Sequence, residues 1–155
     1  MTLIVYRDGV MAADTAVIKS SSGLVVGYLK KVHKSPSGWL GGCAGSSYDI
    51  EKFEEWFLRD MEGPTPKCKA MSALLVDPEG HIRLCSDEFK MDAFTIPHPW
   101  HVIGYGSDFA IGCLAAGASA VKTLRLSMQY CPTISGKVHS ETLTSSRKKG
   151  IPFRS

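Results

Sequence analysis

No apolar run in this chain approaches the ~18–20 residues that a helix needs to cross the hydrocarbon of a bilayer, so a helical membrane protein is not expected. The first residues lack a basic stretch ahead of a long apolar one, and no secretory signal is expected. Cysteine is sparse and scattered: Cys43, Cys68, Cys85, Cys113 and Cys131 are odd in number and form no C-x-x-C pair. That pattern argues against both a disulfide framework and a zinc site, and it suits reduced thiols in a cytoplasmic protein. His98 and His101 bracket Pro99-Trp100 without an evident third ligand, so neither a metal nor a cofactor is expected. There is no G-x-x-x-x-G-K phosphate loop, and any ATP-driven work must come from a partner. Repeats and low-complexity blocks are lacking too.

What remains is an ordinary globular composition. Of 155 residues, 44% are apolar and 21% charged, enough for one substantial core and a single domain over 1–155. The net charge of +3 is unevenly placed. The tail 144–155 carries Arg147, Lys148, Lys149 and Arg154 and no acid, leaving 14 basic against 15 acidic residues in the body. A near-neutral body argues against a nucleic-acid surface. The basic tail reads either as a solvated terminus or as a docking segment, with a neighbouring subunit its economical partner.

Along the chain, LIVYR and VMAAD flank Asp8-Gly9, a hairpin signal because a two-residue type I′ turn wants positive φ at both positions. Such a loop sets Leu3 opposite Asp14 and Thr2 opposite Thr15. Strict alternation would then point Asp14 away from the face of Thr2. Further strands are expected in GLVVGYL, KKVHK and WLGGCAG, with the turn SPSG before the last. In LKKVHK, Leu29, Lys31 and His33 share one face. After Gly45 the period changes: Ile50, Phe53, Phe57 and Met61 recur at helical spacing, and Ser46 or Ser47 can cap the helix. MSALLVD and HIRLC flank the turn Asp77-Pro78-Glu79-Gly80. WHVIGYG reads as a strand, and the small-residue segment after it as helix, broken near Gly117 and ended by Pro132. GKVHSETL supplies a last strand. This order predicts an α+β fold with helices layered on two antiparallel sheets.

Four features could carry chemistry: Thr2 beside the initiator methionine, Asp14 at a strand end, Lys31 in a basic run, and Gly41-Gly42 before a helix. Taken singly, each is ordinary. A second-position threonine is usually only that, strand-end aspartates make turns, lysines in basic runs are solvated, and paired glycines relieve crowding.

Together, in this order and spacing, they resemble the proteasome β-type subunits, and most of all the HslV-like N-terminal-nucleophile hydrolases. The carrying motifs are TLIVYRDGVMAAD, Lys30-Lys31-Val32, Gly42-Cys43-Ala44-Gly45 and Ile103-Gly104-Tyr105-Gly106, spread over roughly residues 2–140. The resemblance implies a four-layer αββα sandwich and a threonine-type endopeptidase acting on peptides or unfolded protein. It further implies a homo-oligomer of stacked rings, served by a separate ATP-dependent unfoldase. Thr2 would be the nucleophile and its freed amine the base, because a hydroxyl attacks poorly unless a base takes its proton. An α-amino group with pKa ~7.7–8.0 suits that task at neutral pH. Lys31 and Asp14 would be the electrostatic pair, and the Gly42 N–H would serve the oxyanion, a role worth ~3–4 kcal/mol in other acyl-transfer enzymes. Ser107 and Ser135 would support the amine. Activation is expected to need only loss of Met1.

The chain departs from the family pattern where Tyr105 replaces a frequent serine and where Pro132 replaces an acid ahead of Ser135. Two other readings therefore accompany the first: a ring-forming scaffold without activity, and an amidase of the same class acting on small amides.

Overall fold

A computed structural model describes residues 1–68, 71–86, 90–91 (backbone) and 96–144. Of the basic tail expected at 144–155, all but Thr144 lies outside the described residues.

The chain opens with β1 (Leu3–Arg7) and β2 (Val10–Ala13), joined by Asp8 and Gly9 with φ of 50° and 82°. Ile4 pairs with Ala13 and Arg7 with Val10, the register that a two-residue loop dictates. Next come β3 (Ala16–Ile18), β4 (Val25–Tyr28), β5 (Val32–Lys34) and β6 (Leu40–Ala44), then helix α1 (Ser47–Leu58). Ser46 caps α1 by accepting the Asp49 N–H at 3.1 Å, as its place before the helix predicted. The second half contains β7 (Ser72–Val76), β8 (Ile82–Ser86), β9 (Lys90–Met91), β10 (Trp100–Gly104), α2 (Ser107–Ala115), α3 (Ala120–Tyr130) and β11 (His139–Thr142). The break between α2 and α3 holds Gly117 at φ 98°, a conformation that costs glycine little, and Ser119 caps α3 on the Lys122 N–H.

The described strands form antiparallel sheets: a four-stranded one in the order β10-β1-β2-β11, a five-stranded one in the order β5-β6-β7-β8-β9, and the separate β3-β4 hairpin. β1 is apolar on both faces because both are covered. Leu3 and Val5 join Ala110, Leu114 and Leu124 of the α2–α3 pair, while Ile4 and Tyr6 join Val32, Leu40, Leu74 and Val76 of the five-stranded sheet. The other face of that sheet gives Cys43, Ala73 and Leu75 to Phe53, Trp56 and Phe57 of α1. The expected helical stripe is present, with Trp56 added to it; Met61 falls past the helix end, at φ 60°.

The paired glycines owe their identity to this packing. A β-carbon on Gly41 would meet the Phe57 ring at 2.6 Å, and one on Gly42 would meet Ile4 Cδ1 at 2.8 Å and Val32 Cγ1 at 3.0 Å. A side chain at Gly42 would thus keep the two sheets from closing on each other.

Candidate active site

Five segments converge on the N-terminus. Asp14 follows the last residue of β2, so it escapes the alternation that would have turned it away. Its Oδ1 accepts the Leu3 N–H at 3.0 Å and its Oδ2 accepts Lys31 Nζ at 2.8 Å. Lys31, immediately before β5, also donates to the Ala16 carbonyl at 2.8 Å and to the Met1 carbonyl at 3.0 Å. Its three N–H groups therefore have three acceptors, an arrangement only the ammonium form fills. Asp14 is fully buried and Lys31 is 2% exposed. Burial pushes the Asp14 carboxyl up and the Lys31 amine down, and each is pulled back by the other's charge.

Thr2 is 7% exposed and is fixed through its backbone. Its carbonyl accepts the Tyr105 N–H at 2.7 Å, and a β-carbon on Gly104 would collide with that same oxygen. Gly104 stands at φ 101°, so both its conformation and its missing side chain are required here. The I-G-x-G motif thereby clamps the nucleophile candidate; the motif was visible in the sequence, but this task was not.

Ser107 opens α2, two residues beyond the Tyr105 clamp. The Ser135 carbonyl accepts the N–H groups of Thr15 (3.3 Å) and Ala16 (3.1 Å), which brings the loop after α3 against the segment that holds Lys31. The Ser135 Oγ is buried without a hydrogen-bond partner among the described residues. Pro132 is exposed and supplies no acid.

Beside Thr2 lies a cavity of about 310 Å³, lined by Met1, Val17, Ile18, Ser20, Leu29, Lys31, Ile50 and residues 45–47. Gly42, Ser107 and Ser135 do not line it. Gly42 forms the last pair of the β5–β6 ladder, opposite Val32, so β6 runs on past its neighbour into the cavity wall. The Met1 amine is held below its ordinary value by burial first and Lys31 second, against an upward pull from Asp14. Thr2, Lys31 and Met1, whose amine is depressed, thus line one concave opening. Cys43 faces α1, and burial pushes its thiol up to about 12, which leaves it inert. His98 stacks on Trp100 at 4.6 Å. Among the described residues, Asp77, Glu79 and His81 bring ligand atoms within 4.8 Å of one another, but Asp77 accepts from both the Glu79 and His81 N–H groups and braces the β7–β8 turn.

Similarity to known proteins is found at the level of structure. HslV from Trypanosoma brucei superposes with a TM-score of 0.66 at 17% identity, over 94% of this chain and 100% of that one. Thiobacillus denitrificans BPH, solved in complex with epoxomicin, gives 0.64 at 17% identity over 93% and 99%. Anbu, an ancestral β-subunit from Yersinia bercovieri, gives 0.65 at 12% identity over 90% and 80%. No protein-family model and no curated protein matches the sequence. The chain therefore shares a mixed α/β, proteasome-like fold with HslV and Anbu. No helix among the described residues is long and apolar enough to cross a membrane.

Proposed function

We propose that this chain is a threonine-type peptidase subunit of a self-compartmentalising, HslV-like assembly, built as one αββα domain and active once Met1 is removed. The observation that carries the reading is the position of Lys31 Nζ. It is tied to Asp14 and Ala16, and its remaining contact is the Met1 carbonyl, the group whose removal would free the Thr2 amine. That ammonium would hold the new amine neutral and ready to take the proton of the Thr2 hydroxyl. The hydroxyl oxygen then attacks the substrate carbonyl, the amine passes the proton to the leaving nitrogen, and water completes hydrolysis of the ester. By resemblance the Gly42 N–H would be the oxyanion donor and Ser107, at the start of α2, and Ser135 would support the amine, although none of the three lines the cavity beside Thr2. The assembly is a homo-oligomer of stacked rings, fed with unfolded protein by a separate ATP-driven unfoldase.

The test compares chains that begin at Thr2 with the same chains carrying Thr2→Ala. Fluorogenic peptides should be cleaved by the first alone, and epoxomicin, the compound bound by the Thiobacillus protein, should bind the first and not the second. Light scattering should give a closed multimer. A folded multimer in which neither chain cleaves diverse peptides would leave a scaffold without activity. A monomer or dimer that hydrolyses small amides would point to the amidase.

A further inference from the structure

Leu29 has two sides. One lines the cavity beside Thr2, and the other lines a second, larger hollow of about 690 Å³, completed by Thr15, Tyr28, Lys30, Gly136 and Lys137. Its surface is mainly apolar, and Tyr28 is 69% exposed. The hollow is firmly built. The Thr15 hydroxyl donates to the Lys137 carbonyl at 2.9 Å and accepts the Lys137 N–H at 2.9 Å. Gly136 sits at φ 89°, where a β-carbon would meet that hydroxyl at 2.5 Å. Backbone and hydroxyl thus consume one another, while neither Lys30 nor Lys137 has a side-chain partner among the described residues. Two neighbouring lysines are occupied: Lys31 by Asp14, and Lys34 by Thr142 and Thr144.

We infer that this hollow is a specificity site for an acidic side chain of an extended peptide, entered across Leu29 from the cavity beside Thr2. The inference rests on the peptidase reading, which supplies the peptide. Its own basis is that Lys30 and Lys137, without a side-chain partner among the described residues, both line a hollow whose surface is otherwise mainly apolar, a setting that favours a carboxylate on a short aliphatic stem and disfavours a cation. The shared Leu29 wall puts both hollows within reach of one strand, whose same-side residues recur about every 7 Å. The substrate class is then a peptide with a neutral side chain at the cleaved position and Glu or Asp displaced from it.

The test is binding, so that it does not depend on hydrolysis. A labelled neutral octapeptide, with one Glu scanned through each position and Gln as its partner, is titrated by fluorescence anisotropy. The protein is the full chain freed of Met1 and carrying Thr2→Ala, so that no peptide is consumed. The inference expects one position, or two alternate ones, at which Glu binds about tenfold more tightly than Gln, with the advantage shrinking at high salt. Lys30→Ala with Lys137→Ala should abolish it, and Lys30→Glu with Lys137→Glu should transfer it to Lys. A flat scan, or a Glu advantage that survives loss of both lysines, overturns the inference. So does dissociation of an oligomer on that double change without any effect on the scan, which would give the hollow to a second copy of the chain. If the Glu preference stands but chains beginning at Thr2 never hydrolyse the same peptides, the peptidase reading fails and the binding site remains.

Discussion

Lys31 donates from Nζ to the carbonyl oxygen of Met1 at 3.0 Å, and that oxygen belongs to the peptide bond whose nitrogen is Thr2's own. Loss of Met1 thus removes one acceptor from the buried ammonium and sets a primary amine beside it. The ion pair behind that contact is also a liability, because Asp14 and Lys31 are buried at 0% and 2% exposure.

Removing one member of that pair strands a charge. Lys31→Met and Asp14→Asn should each lower stability by about 3–5 kcal/mol, whereas the double change should cost less than either alone. Denaturant midpoints measure this. Activity should vanish in all three, so the double variant separates a catalytic loss from a folding one. Lys122→Ala, on the far side of α3, serves as the unaffected control.

Gly104→Ala should displace Thr2 without touching any titratable group. The added methyl meets the Thr2 carbonyl, and φ of 101° disfavours it independently, for a combined cost of about 1–3 kcal/mol. Peptide hydrolysis should fall at least about 100-fold, because misplacing a reacting group by about an ångström costs that much. Steady-state kinetics on the folded variant at reduced temperature would show it as a loss in kcat. Unchanged kcat would separate the clamp from catalysis.

Acid should destabilise the fold through His33. Burial, with like charge from His139 and Lys30, lowers its pKa from 6.5 to about 4, and Glu54 at 3.9 Å is too distant to offset this. The folded state therefore binds this proton less readily than the unfolded one. The stability in question is fully present above pH ~6.5 and is lost as pH falls toward about 4, by about 3 kcal/mol at most. His33→Gln should flatten that part of the curve of unfolding free energy against pH.

Much of this architecture was legible because local chemistry and global fold agree. Asp8-Gly9 fixed the β1–β2 register to the residue, Ser46 capped α1, and Gly117 marked the α2–α3 break. What escaped depended on distant partners. β3 is three residues long and is defined only by pairing with β4, which no local pattern announces. Asp14 looked misdirected because alternation was carried one residue beyond the strand, whereas its carboxylate folds back onto the Leu3 N–H. Gly42 drew notice for a chemical role, yet Ile4 and Val32, remote in sequence, explain why no side chain fits there. Gly104 shows the opposite case: the motif was plain, and only the Thr2 carbonyl explains it.

Gly42→Ala is accordingly a poor probe of an oxyanion hole. It should cost about 1–3 kcal/mol through overpacking against Ile4 whether or not its N–H is used, and Ile4→Val in the same chain should recover part of that loss. Thermal unfolding of the two variants checks the argument. If the second change restores stability but not hydrolysis, the N–H itself has been misplaced.

The measurement closest to the central claim is peptide hydrolysis by two preparations of known intact mass, one retaining Met1 and one beginning at Thr2. With Met1 attached, the Thr2 nitrogen is an amide held beside Lys31 and cannot accept a proton. The chain beginning at Thr2 should cleave, and its kcat/KM should rise with pH through an apparent pKa below the ordinary 8.0 of a terminal amine, in the direction already set at Met1 by burial and Lys31. The Met1-bearing chain should be silent in proportion to its purity. Equal hydrolysis by both preparations would contradict the account.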